Sequence, residues 1–448
     1  MSDSPTGGPT GGPTVGMPSR VSMFGNLDLS GVFRGRSVPA ARTEDVLAQG
    51  LPWVPTNIML SPFNSIPAGN PFGPMGETRL VGDPETKLTL PQAGERPALD
   101  LYLCDLTDTD GRPWPLCPRY QLRAAIARLR DEFGLVLKAG FEQECYIYGV
   151  QDVPTPAFSL GGTRAISGLA DAVQAVLATA GTRLEQFVAE YGEHQFEIAA
   201  PHSDALSSAD QAVMAREAIR DAARIRGWRA TFAPKPDAQQ PGSGVHIHLS
   251  LWTSEGKPVT AEKDALTETS AAFVAGLLRE LTSVMGVTTP SCNSFERLRP
   301  SSWVGVFKCF GARNREAAIR LCPRPAAADG TNPAASIEFR VADGGCNPYL
   351  ALAALIHAGM GGLRDALPPP ENLEGDPATI DEAERRARGI DPIAASLEEV
   401  CDALKAGPFL DSAFGPQFRT AYLAVIENAI ADKQAAGADY AKRYSRVI

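Results

Sequence analysis

Residues 244–251 read Gly244-Val-His-Ile-His-Leu-Ser-Leu251, and their polar and apolar side chains alternate. A period of two predicts a β-strand with one apolar and one polar face. Three more stretches alternate in the same way: Gly140-Phe-Glu-Gln-Glu-Cys-Tyr-Ile-Tyr148, His194-Gln-Phe-Glu-Ile-Ala199 and Ser336-Ile-Glu-Phe-Arg-Val341. Together with the amphipathic helices between them, these strands predict an α+β protein with an antiparallel sheet under helices.

The polar faces of the four predicted strands have an unusual composition. They carry carboxylates, imidazoles and one guanidinium, from Glu142, Glu144, Glu197, His246, His248, Glu338 and Arg340. Glu190 lies just upstream of the predicted strand at 194–199. One such strand alone is readily interpreted as having an ordinary solvated face. Four such strands together are less readily interpreted in this way, because two unpaired charges about 5 Å apart cost roughly 3 kcal/mol at an effective dielectric of about 20. Carboxylates with an imidazole suit Mg²⁺ or Mn²⁺, so the pattern predicts a divalent-metal site.

Arginines are concentrated between residues 293 and 340, at Arg297, Arg299, Arg313, Arg315, Arg320 and Arg340. Arg320 and Arg340 are flanked by apolar residues, and guanidiniums in such surroundings need carboxylate or phosphate partners. Metal ions beside arginines indicate a site for a nucleotide triphosphate and phosphoryl transfer. The sequence has neither a P-loop nor a Rossmann fingerprint, so any nucleotide is held in another way.

Composition excludes several classes of protein. The chain has 448 residues and a formal net charge of -10, which disfavours nucleic acid as its main partner. Its eight cysteines form no CxxC pair, which predicts reduced thiols in a cytoplasmic protein. We find no signal peptide and no apolar run of about 18 residues, so we expect no membrane span.

Local composition and residue pattern divide the sequence into three regions. Residues 1–20, rich in Gly, Pro and Thr, predict a disordered tail. Residues 21–115 predict a small β-rich domain, with strands at Lys87–Leu90 and Leu99–Leu106 and a loop at 62–82 that is either functional or a surface insertion. Residues 116–448 predict the larger domain, with helices at 118–133, 163–180, 207–227, 262–285, 348–366, 394–406 and 411–435.

The chain resembles the glutamine synthetase family in a series of ordered motifs. The G-x-E-x-E strand is Gly140-Phe-Glu142-Gln-Glu144, and the E-x-G-x-x-Q-x-E segment is Glu190-Tyr-Gly-Glu-His-Gln195-Phe-Glu197. Further matches are Thr231-Phe-Ala-Pro-Lys235-Pro, Gly242-Ser-Gly-Val-His246-Ile-His248-Leu-Ser250-Leu, Asn293-Ser-Phe-Glu-Arg297-Leu, Asn314-Arg315 with Arg320, and Glu338-Phe-Arg340 with Asn347-Pro-Tyr-Leu350. The resemblance extends from about residue 28 to the C-terminal end.

The resemblance implies a role for each motif residue. Glu144, Glu190 and Glu197 would hold one metal ion, and Glu142, His246 and Glu338 another, with two or three Mg²⁺ or Mn²⁺ ions in each site. Arg297, Arg340 and Gly242 would bind the amino-acid substrate, while His248, Ser250, Arg315 and Arg320 would contact ATP. Arg320 and Arg340 would also act in catalysis. The implied reaction phosphorylates the γ-carboxylate of glutamate, after which an amine displaces phosphate.

Several positions depart from the family pattern. Trp303 stands where the family has a flap glutamate that helps to hold ammonium, and an indole offers no full negative charge. Glu77 falls near the family's amine-deprotonating Asp, and Ser336 stands where many relatives have Arg. Trp303 therefore favours an organic amine as acceptor. The alternatives are an ammonia-using glutamine synthetase and an inactive structural or regulatory relative, which the six retained metal-ligand positions disfavour.

The resemblance also implies an architecture. The small domain would be a β-grasp fold, and the strands of the catalytic domain would form an open funnel. Each active site would lie between neighbouring subunits of a ring-shaped homo-oligomer, a dodecamer of two hexagonal rings. The loop at 62–82 would then lie near a neighbour's amine site.

Overall fold

A computed structural model describes residues 20–150, 155–262, 264–323 and 335–448. The strands within them are β1 Arg20–Leu27, β2 Phe33–Pro39, β3 Leu51–Trp53, β4 Thr78–Gly82, β5 Leu88–Leu90, β6 Ala98–Thr107, β7 Leu135–Tyr148, β8 Gln186–Ala189, β9 Gln195–Ala199, β10 Ser203–Asp204, β11 Arg229–Thr231, β12 Val245–Thr253, β13 Ala261–Glu262, β14 Ala265–Leu266, β15 Phe307–Ala312, β16 Ala317–Cys322 and β17 Ser336–Phe339.

The helices are α1 Thr43–Gln49, α2 Pro118–Phe133, α3 Leu160–Ala165, α4 Ser167–Ala178, α5 Ala205–Ile225, α6 Glu268–Arg279, α7 Leu281–Thr288, α8 Cys292–Arg297, α9 Pro348–Arg364, α10 Glu382–Ala387, α11 Leu397–Ala406, α12 Phe409–Phe414, α13 Pro416–Ala436 and α14 Tyr440–Tyr444. α9 is buried along most of its length and packs against α2 and α6. Its apolar sequence leaves almost no polar face, as expected for a helix in the middle of a core.

Six N-terminal strands form a mixed sheet in the order β2-β1-β6-β4-β3, with β5 also paired to β6. β1 is parallel to β6, and its other neighbour β2 is antiparallel. This sheet confirms the predicted small N-terminal β-rich part. Arg20 belongs to β1, so the predicted tail extends one residue too far, and residues 1–19 lie outside the described ranges. The predicted loop at 62–82 is wrong at its end, because 78–82 form β4 with alternating burial.

The larger sheet has the order β15-β16-β17-β12-β7-β9-β8, with β10 and β11 also paired to β7. The four predicted strands with unusual polar faces are the consecutive neighbours β17, β12, β7 and β9, which are antiparallel. The prediction of an antiparallel sheet is wrong for β15 and β16, which are parallel. Alternation along a strand reports its two faces but not its direction, so the sequence pattern could not show this.

Several predicted helices are interrupted. α2 has its predicted bounds, whereas 163–180, 262–285 and 411–435 each contain two helices. The last of these breaks where Gly415, with a φ of 89°, precedes Pro416, because proline cannot donate the next backbone hydrogen bond. The start of 262–285 is also wrong, since 261–262 and 265–266 form the short pair β13 and β14.

No single helix of the described ranges is both long and apolar enough to span a membrane. The bent pair α6 and α7 passes both criteria when the two helices are taken together. All eight cysteines are free thiols, as predicted from their spacing.

A buried arginine joins the small sheet to the helices of the larger part. Arg119, on α2, donates to both carboxylate oxygens of Asp210 at 3.0 and 2.8 Å, and to Asp83 at 2.8 Å. It also lies 3.3 Å from a carboxylate oxygen of Asp105, and the Tyr349 hydroxyl donates to Asp210 at 2.7 Å. Asp105 belongs to β6 and Asp210 to α5, so one guanidinium connects elements from both parts.

We expect Arg119→Met to lower the free energy of unfolding by about 3–5 kcal/mol, because the buried Asp210 carboxylate loses its partner. Arg123→Met is the matched control, since Arg123 contacts Asp83 and Asp105 at 3.4 Å but its side chain is 41% exposed. The free energy of unfolding of Arg123→Met should fall by less than about 1 kcal/mol. Urea denaturation of both variants measures the difference. Equal losses would contradict a special role for the buried arginine.

Candidate active site

Strand register places the predicted metal ligands side by side on one face of the larger sheet. His246 of β12 lies opposite Glu142 of β7, and His248 lies opposite Glu338 of β17. On the other side of β7, Glu144 lies opposite Glu197 of β9. Directly opposed residues on neighbouring strands have side chains on the same face. The antiparallel register therefore explains why side chains distant in sequence meet here.

These side chains line one large cleft of about 1030 Å³, which we call the active-site cleft. All six predicted metal ligands line it, together with His248, Gly242, Trp303 and the four arginines to which the resemblance gives roles, Arg297, Arg315, Arg320 and Arg340. The volume is at the upper end of the range for small-molecule sites. The cleft therefore has room for more than one substrate.

Two compact groups of potential ligand atoms lie within the cleft. One contains Glu142, Glu197 and His246, and the other contains Glu142, His248 and Glu338, with the ligand atoms of each group within 4.8 Å of one another. Glu142 belongs to both groups. This division differs from the sets implied by the resemblance, because His248 lies 3.2 Å from Glu142 although it was assigned to ATP. Glu144 and Glu190 line the cleft beside these groups.

Electrostatics show that the carboxylates lack a sufficient countercharge. Burial raises the pKa of the Glu197 carboxyl to about 9, and its neighbours Glu142, Glu144 and Glu190 add to this effect. Burial likewise raises the pKa of Glu144 to about 7, and it also raises the pKa of Glu190. Buried carboxyls of this kind are stabilised as anions by a divalent cation, and oxygen atoms with imidazoles suit Mg²⁺ or Mn²⁺. The residues present therefore fit such an ion.

The raised pKa values predict a pH-dependent effect of metal on stability. Glu144 and Glu197 titrate near 4.5 in an unfolded chain and near 7 and 9 in the folded one. Between these values the folded state holds more protons, so the metal-free protein loses stability as the pH rises. Metal binding needs the deprotonated forms. We expect the rise in Tm caused by Mg²⁺ to be larger at about pH 8.5 than at about pH 6.5.

Thermal unfolding with EDTA or with saturating Mg²⁺ at both pH values measures this effect. Glu197→Gln should flatten the decline of the metal-free Tm above about pH 7, because it removes the group with the higher pKa. An Mg²⁺-induced rise in Tm that is the same at both pH values would contradict the assignment.

Two arginines neutralise Glu338 at the centre of the cleft. Arg320 donates to one carboxylate oxygen at 2.8 Å, and Arg340 donates to the other. Burial alone would raise the pKa of Glu338, but His246 and Arg340 outweigh it and hold the pKa at about 2. Glu338 is therefore an anion under all ordinary conditions.

Arg340 also fixes two loops. Its Nε donates to the carbonyl of Arg315 at 3.0 Å, and its Nη2 donates to the carbonyl of Trp303 at 2.7 Å. The Trp303 amide in turn donates to Glu316 at 2.9 Å. Trp303 has a φ of 57°, which is uncommon for a bulky residue and marks a constrained backbone. These bonds hold the loop at 298–306 in place while leaving the indole 52% exposed.

Arg297 is buried at the base of the cleft. Its Nη1 donates to the carbonyls of Val341 and Ala342 at 3.0 and 3.2 Å. The glycines Gly242 and Gly244 make room for it, because a Cβ would lie 2.6 Å from its Cγ at the first position and 2.5 Å from its Nη2 at the second. The G-S-G motif is therefore explained by close approach of this guanidinium.

Two predicted site residues lie away from the cleft. Ser250 is buried and accepts a hydrogen bond from the Trp252 indole at 2.9 Å. Glu77 is half-exposed, 3.6 Å from Arg79. Neither lines the cleft within the described part of this chain. The direct assignment of Ser250 to ATP is therefore not supported by its position, and Glu77 does not contribute to the cleft among the described residues of its own chain.

Sequence reasoning missed several residues that line the cleft, among them Gln195, Phe158 and Tyr191. Gln195 donates to the Gly242 carbonyl at 2.9 Å and to Glu144 at 3.2 Å, so it orients a predicted ligand. Its position in the Q-x-E motif could have identified Gln195 as a site residue from the sequence. The ring of Tyr191 contacts the rings of both Phe158 and Trp303. Tyr191 occupies a variable motif position and Phe158 lies in no motif, so neither had a signal.

Comparisons with known proteins agree over both parts of the chain. The family model for the glutamine synthetase catalytic domain matches residues 115–443, and that for the glutamine synthetase N-terminal domain matches residues 17–114. A gamma-glutamylpolyamine synthetase of Streptomyces coelicolor is 34% identical over 412 residues, covering 89% of this chain and 87% of that one. A glutamine synthetase of Thermococcus kodakarensis is 30% identical over 402 residues, covering 88% and 85%.

Solved structures show the same likeness. A crystal structure of a glutamine synthase homologue superposes with a TM-score of 0.85 at 36% identity, covering 96% of this chain and 98% of the other. A GmaS–ADP complex gives a TM-score of 0.79 at 25% identity, covering 95% of each chain.

Proposed function

Because the chain belongs to the glutamine synthetase family of carbon–nitrogen ligases, we propose that it joins the γ-carboxylate of glutamate to an organic amine at the expense of ATP. The observation that carries the choice of acceptor is the exposed indole of Trp303 in the active-site cleft. An aromatic ring binds the substituent of an organic amine better than it binds hydrated ammonium. The Streptomyces relative is named for polyamine acceptors, which supports an organic amine here.

Glutamate binding is assigned to the two buried arginines of the cleft. Arg297 and Arg340 are 5% and 3% exposed, and both line the cleft. A buried guanidinium forms strong charge-assisted hydrogen bonds to a carboxylate. In this proposal Arg297 binds the α-carboxylate, and Arg340 lies at the end where the γ-carboxylate reacts.

Divalent cations would be held by the carboxylates and the imidazole beside these arginines, with His248 as a further donor. These ligands are Glu142, Glu144, Glu190, Glu197, His246 and Glu338. Two or three Mg²⁺ or Mn²⁺ ions would supply neutralising charge for carboxylate and phosphate oxygens. Glu338 stays anionic at the centre of the cleft because Arg320 and Arg340 pair with it.

Two steps complete the proposed reaction. A γ-carboxylate oxygen of glutamate attacks the terminal phosphorus of ATP, and the bond from phosphorus to the ADP oxygen breaks. Arg320 and Arg315 would stabilise the charge on the transferring group. The amine nitrogen then attacks the acyl carbon of γ-glutamyl phosphate, inorganic phosphate leaves, and the nitrogen loses a proton. Glu77 of a neighbouring subunit is our candidate for accepting that proton.

The proposal is tested by phosphate release from purified protein with ATP, Mg²⁺ and glutamate across a panel of amines. The panel contains ammonia, methylamine, ethanolamine, putrescine, isopropylamine, benzylamine and aniline. We expect at least one organic amine to exceed ammonia in kcat/KM by about tenfold or more, since burial of two methylenes already favours binding by that factor. Ammonia as the best acceptor would establish an ordinary glutamine synthetase. No turnover would favour an inactive relative.

We further propose a cytoplasmic homo-oligomer, a dodecamer by analogy with the family, with small domain 21–115 and catalytic domain 116–448. Support comes from Glu77, which lies outside the cleft of its own chain. Mixed oligomers of Glu77→Gln and Glu142→Gln chains test the shared site. Partial recovery of activity on co-expression, absent from either variant alone, is expected. No recovery in mixed oligomers verified by mass spectrometry would contradict it.

A further inference from the structure

Three aromatic side chains form a contiguous exposed surface in the cleft, which we call the aromatic triad: Phe158, Tyr191 and Trp303. The rings of Phe158 and Tyr191 lie 5.1 Å apart at 87°, and those of Tyr191 and Trp303 lie 5.6 Å apart at 64°. Their exposed fractions are 57%, 56% and 52%. Contiguous exposed apolar surface of this kind marks a binding site.

The triad lies beside the proposed reaction centre. All three residues line the same cleft as the metal-ligand groups, and Tyr191 directly follows Glu190. The backbone on both sides is fixed. Glu190 donates its amide to the Gln195 carbonyl at 2.8 Å, and the Trp303 amide and carbonyl are bound by Glu316 and Arg340. The rings are therefore preorganised, which reduces the entropy lost on binding.

Most of the described cleft-lining residues next to the triad along the chain are uncharged, with Glu190 and Arg299 as the charged ones. On β8 and on the loop of Trp303 the cleft-lining neighbours are Gln186, Val188, Ser301, Ser302 and Val304. The next charged group on that loop is the cation Arg299. Within the described residues of this chain, Glu190 is the carboxylate next to the triad, and the nucleophilic nitrogen would occupy it, so a second ammonium group would instead be repelled by Arg299. An uncharged substituent meets no such cost.

We propose that the aromatic triad is the subsite for the substituent of the acceptor amine, and that it selects primary monoamines with an uncharged alkyl or aryl group. This inference rests on the proposed function, which it makes specific. The nucleophilic nitrogen lies toward Glu190, and the substituent packs on the three rings. Specificity for the acceptor is then set by apolar contact rather than by ion pairing.

The first test is a series of linear amines with the wild-type enzyme. From methylamine to n-pentylamine, kcat/KM should rise by up to about fourfold for each methylene that becomes buried. Putrescine and n-pentylamine form a matched pair, because they have the same length and differ in a terminal ammonium or methyl group. We expect n-pentylamine to exceed putrescine by at least about tenfold, the preference that distinguishes an apolar subsite from an ionic one.

The second test uses variants. Trp303→Ala and Tyr191→Ala should each lower the ratio of kcat/KM for n-pentylamine to that for methylamine by about tenfold or more, and Trp303→Phe should restore much of it. Leu160→Ala is the control, because Leu160 is 78% exposed near Phe158 yet does not line the cleft. Its ratio should match the wild type. The KM for glutamate reports whether a variant has disturbed the rest of the site.

The outcomes separate the two proposals. Turnover of organic amines with no dependence on chain length, or with putrescine preferred, overturns the apolar subsite and leaves the ligase proposal intact. Turnover of ammonia alone overturns both. Triad variants that change the oligomer mass on size-exclusion chromatography, but not the amine ratio, assign the rings to a contact between subunits and overturn the subsite.

Discussion

Glu142→Gln is expected to lower kcat/KM for glutamate by at least about 1000-fold, which corresponds to roughly 4 kcal/mol of transition-state stabilisation. Glu142 is the member common to both compact groups of ligand atoms. It also lies 3.2 Å from His248 and 3.5 Å from His246. The amide removes a negative charge that both groups share, so a divalent ion held by either group would be bound more weakly.

Phosphate release measures the loss of activity, and titration calorimetry with Mn²⁺ should show weaker binding or fewer sites. Glu193→Gln is the matched control, because Glu193 lies between two predicted ligands in the Glu190–Glu197 segment, but its side chain is 50% exposed and it does not line the cleft. That variant should keep activity within about threefold, as expected for a surface substitution. A Glu142→Gln enzyme with near-normal turnover would rule out the shared ligand.

Arg340→Lys is expected to lower kcat by about 100- to 1000-fold although the charge is kept. The guanidinium donates in three directions at once, to Glu338, to the Arg315 carbonyl and to the Trp303 carbonyl. A lysine ammonium is a single point donor on a different stem and cannot reproduce that geometry. The variant should therefore loosen the two loops as well as the proposed contact with the γ-carboxylate.

Steady-state kinetics with glutamate and with the best amine measure this effect. Arg313→Lys is the control, because Arg313 is 67% exposed, pairs with Asp264 at 3.2 Å and does not line the cleft. Its kcat should change by less than about threefold. Comparable losses in both variants would show that arginine chemistry at position 340 is not special.

The sequence was sufficient to predict the strands that build the cleft. Polar and apolar residues alternate along these strands because each strand has one face in the core and one in the cleft. Val245, Ile247 and Leu249, at every second position, are accordingly buried. The ordered motifs then identified the family. The same local pattern holds no information about strand direction, which is why the parallel pair of β15 and β16 was not predicted.

Features that depend on tertiary contact were not predictable. Phe158 and Trp303 are distant in sequence, and their rings join one surface because each contacts the ring of Tyr191. Ser250 shares the polar periodicity of His246 and His248, yet it is buried against Trp252 and lies outside the cleft. Periodicity assigns a face of the sheet, whereas the extent of the cleft along that face depends on the loops that cover it.

The way in which Trp303 is held has a consequence for how such an enzyme diversifies. Its backbone amide and carbonyl are bound by Glu316 and Arg340, while its side chain is 52% exposed and packs against the ring of Tyr191. A mutation at this codon therefore replaces the side chain without releasing the main chain that supports Arg340. With the acceptor role proposed here for Trp303, single substitutions at this position would change the amine preference while leaving Arg340 and the metal-ligand groups in place.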